Sequence, residues 1–305
     1  MPQLTRRTEE YSTNGSSSAS TTELYKDPLA DAERCRVDIP LMAAANTNTI
    51  RVYAVDPTQD HQVCMDLLQE HGIYVVADLS QPGLSINRDS PSWNDALFER
   101  YASVVDFFAP YSNTIGFFAG NEVSNNASNT DASAFVKAAV RDTKSYIASR
   151  GYRQMYVGYA TNDDAEIRED MAAYFNCGPA EESIDFWGYN IYSWCGDSSF
   201  QESGFDKHVR DYAEYSVPTF FAEYGCNVVQ PRVFTEVGAI FGDQMTPVFS
   251  GGILYMWFQE ANDYGMARID TFYHVKLMIC QVLLRSSLAL LSHPSFRITL
   301  PTPAR

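Results

Sequence analysis

Two glutamates stand where short apolar stretches of this chain run out. A pair of carboxylates so placed is the minimum equipment for retaining chemistry on a glycosidic bond. Glu122 closes the run Thr114-Ile115-Gly116-Phe117-Phe118-Ala119-Gly120-Asn121-Glu122-Val123, and Glu223 closes Pro218-Thr219-Phe220-Phe221-Ala222-Glu223-Tyr224-Gly225. Both runs have the aromatic and β-branched character of strands buried on both faces. A single strand-end glutamate is ordinarily a solvated loop residue. The pair is more specific, because each follows a strand that holds no other charge. In such a pair one carboxyl stays protonated to serve the leaving oxygen, while the other stays ionised to attack carbon.

Elements that could position them alternate along the chain. Strands are expected at 49–55, 73–79, 114–121, 155–160, 184–192, 218–223 and 252–258. Helical spacing starts at Asp27-Pro28-Leu29 and recurs at 61–71, 93–108, 131–149, 165–174, 206–215 and 234–241. Alternation of this kind predicts a parallel sheet with crossover helices. A (β/α)₈ barrel of the TIM type carries its catalytic groups at the C-terminal ends of its strands. Seven strands are one short of that barrel, so the fold expected is a TIM-type barrel lacking its first strand, which would lie upstream of Met1. Glu122 would then end the fourth strand of the full barrel and Glu223 the seventh. A doubly wound open sheet is the alternative, but no Gly-rich phosphate loop follows any strand.

With 305 residues and 45% apolar content, the chain can bury one large domain. A net charge of −16 argues against nucleic acid and anionic membrane surfaces, whereas a neutral polymer meets no such penalty. Aromatics are plentiful, with 19 Tyr, 18 Phe and 4 Trp, which suits either a large core or sugar-stacking faces. The six cysteines form no CxxC pair and have no nearby His at metal-ligand spacing, so neither a metal nor a cofactor is implied. None of the five histidines sits in a Ser-His-Asp arrangement. Asn14-Gly15-Ser16 and Asn126-Ala127-Ser128 are glycosylation sequons. The N-terminus shows no signal peptide, because residues 8–22 are polar where an apolar stretch should follow the first charges.

A set of collinear motifs resembles the catalytic domain of the fungal β-1,3-glucanosyltransferases, glycoside hydrolase family 72, over about residues 22–265. The motifs are Asp27-Pro28-Leu29-Ala30-Asp31, Asn48-Thr49-Ile50-Arg51-Val52-Tyr53, Ala77-Asp78-Leu79, Gly120-Asn121-Glu122-Val123, Asp185-Phe186-Trp187-Gly188-Tyr189-Asn190, Tyr192-Ser193-Trp194-Cys195-Gly196 and Phe221-Ala222-Glu223-Tyr224-Gly225-Cys226. The resemblance implies Glu122 as general acid/base and Glu223 as nucleophile. It implies that Asn121 contacts the hydroxyl beside the reacting carbon, and that Tyr53, Asp78, Tyr192 and Tyr255 line the glucan cleft. It also implies disulfides Cys35–Cys64 and Cys195–Cys226. In the family Cys177 pairs far downstream, in a region this chain does not resemble, which leaves Cys280 only by elimination. Burial and the second carboxylate should raise the pKa of Glu122, and Tyr224 or a cleft tyrosine could hold Glu223 in place.

The implied partners are β-1,3-glucan donor and acceptor chains, with no nucleic acid or protein partner. The implied location is the cell surface or wall, with a GPI anchor at the plasma membrane. The expected organisation is an irregular segment 1–22, a barrel over 23–265 and an atypical tail over 266–305. That tail carries five Lys or Arg against one Asp, net +4, which leaves −20 for residues 1–265. Its apolar stretch 275–291 is broken by Lys276 and Arg285 and is no convincing anchor. Three other readings stay open at this point: an endo-β-1,3-glucanase, a non-catalytic glucan-binding wall protein, and an inactive truncated product.

Overall fold

Uncharged runs become strands and amphipathic runs become the helices that cover them. A computed structural model describes residues 25–269 and 275–277. The strands are β1 (Thr49–Val52), β2 (Tyr74–Asp78), β3 (Thr114–Asn121), β4 (Tyr156–Thr161), β5 (Trp187–Ile191), β6 (Thr219–Tyr224) and β7 (Phe249–Leu254). All seven pair in parallel and in sequence order, forming one nearly closed barrel sheet. Between them run α1 (Ala32–Ala44, before β1), α2 (Gln62–Glu70), α3 (Asp95–Phe108), α4 (Ala132–Ser149), α5 (Arg168–Asn176), α6 (Phe205–Tyr212) and α7 (Glu236–Ile240). Past the barrel, β8 (Ala267–Ile269) and β9 (Val275–Leu277) pair antiparallel. The segment 1–22 with its Asn14 sequon, Cys280 and most of the tail lie outside the described residues.

Two apolar cores result, because each strand sends alternate side chains to opposite faces. The larger core fills the space between sheet and helices and includes Val75, Phe117, Tyr159 and Trp187. The smaller one plugs the barrel interior with Val76, Phe118, Ala160, Phe186 and Ala222, with Ile115 and Phe220 packed against it. Phe118, Phe186 and Phe220 meet at centroid distances of 5.2, 6.1 and 5.7 Å, edge-on or tilted. Glycine is required beside them at two points: a Cβ on Gly158 would run into Cδ2 of the Phe186 ring, and one on Gly188 would stand 2.6 Å from Phe118 Cε1 and 2.8 Å from the Ala222 Cβ.

Among the described residues β1 and β7 are the edges of the sheet. Side chains rather than ladder bonds span the seam between them. Tyr53, just past β1, meets Tyr255, just past β7, edge-on at 6.0 Å. Arg34 of α1 lies 3.9 Å over the ring of Phe258.

Both expected disulfides are present. Cys35–Cys64 staples α1 to α2, and Cys195–Cys226 joins the loops leaving β5 and β6. Closing loops of 29 and 31 residues stabilises by about 3–4 kcal/mol each in the chain-entropy picture. Cys177 is free and exposed, with the Lys137 ammonium 3.1 Å from its sulfur.

The last strand departs from the sequence expectation of 252–258. It begins at Phe249 and ends at Leu254, so the apolar run Tyr255–Phe258 is loop. Gly251 and Gly252 both sit inside the strand. A Cβ on Gly252 would stand 2.9 Å from Tyr224 Cδ1, so glycine is there to let β7 approach β6. The helical pattern at Asp27 likewise resolves into a short 3-10 turn, Pro28–Ala30, capped by Asp27, before α1 starts on the Asp31 cap.

Adding a methyl group at the close approach beside Gly188 should cost stability without touching any polar group. Gly188→Ala is expected to lose about 1–3 kcal/mol by overpacking, which is a drop in Tm of several degrees. Thermal unfolding followed by circular dichroism checks this, and an unchanged Tm would mean the interior has slack.

Candidate active site

Arg51 is the one charge inside the apolar strand Thr49-Ile50-Arg51-Val52, and strand alternation turns it into the barrel. Its guanidinium lies 4.3 Å from the Phe118 ring, directly on the phenylalanine plug, and 4.4 Å from the Tyr53 ring. Only 1% of this side chain is exposed. Nε and Nη2 donate to the two Asp78 oxygens at 2.9 Å each, a bidentate pair. Nη2 also donates to Asn121 Oδ1 at 2.9 Å, and Nη1 to Glu223 Oε1 at 3.1 Å. Burial opposes the Arg51 charge, but Asp78, Tyr53 and Glu223 keep its pKa above the ordinary arginine value.

Glu223 is buried near the end of β6. Besides Arg51, it accepts from Tyr53 Oη at 3.0 Å and from Tyr192 Oη at 2.7 Å. Burial pushes its carboxyl above the ordinary value, and the neighbouring Glu122 adds to that rise. Arg51, Tyr192 and Tyr53 pull the other way, so every direct partner favours the ionised form. Asp78 is raised by burial and pulled back by Arg51 in the same manner.

Glu122 follows the last residue of β3 and is half-buried. Its backbone is left-handed, with φ at 48°. The N–H donates to Ala160 O of β4 at 2.8 Å, and the carbonyl accepts from Arg88 Nη2 at 2.7 Å. Its carboxylate accepts from Asn190 Nδ2 at 3.0 Å, and that same amide also donates to Asn121 Oδ1 at 3.0 Å. Asn121 Oδ1 therefore takes two bonds from the protein, one from Arg51 and one from Asn190.

The site residues expected from sequence thus converge, with two changes of role. Asp78 is only 3% exposed and both its oxygens are taken by Arg51, so it anchors the site from beneath rather than forming the cleft wall. Cleft tyrosines, not Tyr224, hold Glu223; Tyr224 alternates outward to the helix side of β6 and packs in the outer core. Tyr192, Tyr255 and Tyr264 pack edge-on in a rim at 5.2–6.3 Å. Four residues of this site were not singled out from sequence: Arg51, Asn190, Arg88 and Tyr264. Arg51 and Asn190 carried a usable signal, being polar residues inside or ending apolar strands. Arg88 and Tyr264 sit in loops, and nothing in their neighbours distinguishes them.

A family profile described as Glucanosyltransferase, glycoside hydrolase family 72, matches residues 5–279. A 1,3-beta-glucanosyltransferase of Arthroderma benhamiae is 69% identical over 262 residues, covering 86% of this chain and 48% of that protein. The 1,3-beta-glucanosyltransferase GAS2 of Saccharomyces cerevisiae is 48% identical over 265 residues, covering 87% of this chain and 47% of its own. A crystal structure of a mutant Gas2p from that yeast, in complex with laminaritetraose and laminaripentaose, superposes with a TM-score of 0.83 at 46% identity. That superposition covers 88% of this chain and 60% of the solved one. The chain spans about half the length of the curated relatives it matches. With a family match over most of its length and a barrel shared with Gas2p, the chain belongs to the family 72 glucanosyltransferases.

Proposed function

We propose that this barrel cleaves a β-1,3-glucan internally and transfers the new reducing end to a second glucan by retaining double displacement. The observation that carries the proposal is the unequal footing of two neighbouring carboxylates. Glu223 has three donors that favour its ionised form, whereas Glu122 has a single amide donor. Glu223 attacks the anomeric carbon and forms a glycosyl-enzyme, while Glu122 gives its proton to the departing glycosidic oxygen. Glu122 then takes the proton from an incoming sugar hydroxyl, whose oxygen displaces Glu223. The NH₂ of Asn121 is placed to bond the hydroxyl beside the reacting carbon. Tyr53, Tyr192 and Tyr255 form the cleft surface against which the sugar rings lie. The role belongs at the cell surface or wall, where the polymer is. Among the described residues no helix is long and apolar enough to cross a membrane.

Glu122→Gln and Glu223→Gln should each abolish elongation of laminarihexaose while laminarihexaose binding by calorimetry stays within a few-fold. The two carboxyl groups should stand about 5–5.5 Å apart in a crystal structure of the complex, since a wider gap belongs to inverting enzymes. An active Glu223→Gln variant would overturn the assignment. Products longer than the donor distinguish transfer from an endo-glucanase, and turnover itself excludes a purely binding protein.

Tyr192→Phe should move the acid limb of the kcat/KM profile to higher pH. Tyr192 stabilises the ionised nucleophile, so removing its hydroxyl raises the Glu223 pKa further and protonates it at a higher pH. A hydrogen bond to a charged group is worth about 1.5–3 kcal/mol, which sets the shift at about one to two pH units. A pH–rate series on both proteins reads it.

Tyr255→Ala should shift products toward hydrolysis, because it removes ring surface beside Tyr53 and Tyr192 without touching either carboxylate. Chromatography of laminarihexaose products gives the ratio. An unchanged ratio would place acceptor binding elsewhere.

A further inference from the structure

A left-handed backbone costs a residue with a Cβ on the order of 1–3 kcal/mol, so a glutamate held at φ 48° must be held by something. Two bonds do this at Glu122. One is to Ala160 O in the neighbouring strand, and is part of the sheet's own pairing. The other comes from Arg88, a half-buried side chain on the loop between β2 and α3. That loop is itself fixed. Ile86 is buried in the outer core, and Asn87 Oδ1 accepts from the N–H groups of Asp89 at 2.7 Å and Ser90 at 3.1 Å. Arg88 is thereby presented to the Glu122 carbonyl from a tight turn whose base is in the core.

We propose that Arg88 is a positioning residue for proton transfer, acting by fixing the backbone turn that aims Glu122. The proposal rests on the assignment of Glu122 as the acid/base. Its logic is separation. Arg88 bonds the backbone of Glu122, and among the described residues its guanidinium makes no hydrogen bond to the Arg51–Asp78–Glu223 group. The Glu122 carboxylate has one side-chain partner, Asn190, which cannot hold its direction alone. Loss of Arg88 should therefore harm the step that needs a proton and spare the attack by Glu223.

The test compares two donors. A laminari-oligosaccharide has a poor leaving group and needs protonation. A 2,4-dinitrophenyl β-laminarioside does not: the bond from anomeric carbon to aryl oxygen breaks with its electron pair leaving as the phenolate, while a Glu223 oxygen bonds the carbon. Arg88→Gln should lower kcat on the oligosaccharide by about 10–100-fold with KM little changed, the scale expected when a general acid is misaimed. Its burst of dinitrophenolate should stay within about threefold of the parent, with an unchanged Tm and partial recovery in Arg88→Lys. Glu122→Gln is the reference and should show the same selectivity, more strongly. If Glu122→Gln slows both donors alike, the acid/base assignment falls and this proposal with it. If Glu122→Gln is selective but Arg88→Gln slows both donors alike, or neither, the proposal alone is overturned.

Discussion

A guanidinium sealed inside a barrel needs counter-charges, and most of the site follows from supplying them to Arg51. Taking an ion out of water costs several kcal/mol even in a relaxed protein interior, and only close, well-aligned partners recover it. Asp78 answers with a bidentate pair and Glu223 with a single bond, so the three charges sum to −1. Strands β1, β2, β3 and β6 are drawn to one point, because each contributes a member of the group: Arg51, Asp78, Asn121 and Glu223. Removing one partner from a buried pair of this kind costs about 3–5 kcal/mol, since the other is left uncompensated. The same cation pulls the Glu223 carboxyl back toward its ionised form, against the rise that burial imposes.

The two glutamates are chemically identical and differ only in what surrounds them. Glu223 is gripped on both oxygens by groups fixed in or just past strands, so it has little freedom and donors that favour its charge. Glu122 sits one residue beyond β3, where the ladder ends and the backbone turns left-handed. A nucleophile must meet one carbon along one line. A proton donor must serve first a departing oxygen and then an arriving one. The tighter cage belongs with the first task and the looser tether with the second.

Much of this was legible in the sequence because strands buried on both faces are short, apolar and uncharged, so a charge at their ends stands out. Glu122 and Glu223 are of that kind, and the alternation of strand and helix placed both at one mouth. The two disulfides followed from resemblance, not from spacing. The role of Asp78 was hidden because a strand-end carboxylate looks the same whether it faces a ligand or an arginine one strand away. Tyr192 and Tyr224 were equally good candidates to hold the nucleophile, and only the facing of each side chain separates them. The start of β7 was placed three residues late, at Gly252, because the close packing of that glycine against Tyr224 of β6 is a long-range fact.

The site is layered, and the order of the layers is forced by solvent. Apolar side chains, Phe118, Phe186 and Phe220 the largest of them, fill the barrel interior beneath the carboxylates. Arg51 lies on that apolar floor, where its interactions with Asp78 and Glu223 are strongest. Above them Tyr53 and Tyr192 turn hydroxyls to Glu223, and Tyr53, 36% exposed, also presents ring surface to solvent. In the proposed reaction, a glycosyl-enzyme on Glu223 would form beneath the tyrosines. Whatever discharges it must cross that rim, and a flat, amphipathic aromatic surface retains a sugar ring better than it retains water. Water is about 55 M in the surrounding solvent, but a bound hydroxyl can reach effective concentrations far above that, on the order of 10⁵ M or more when well oriented. If the barrel transfers glucan as proposed, preference for a sugar acceptor over hydrolysis would depend less on the two carboxylates, which any retaining glycosidase has, than on how long the rim keeps an acceptor lying across them.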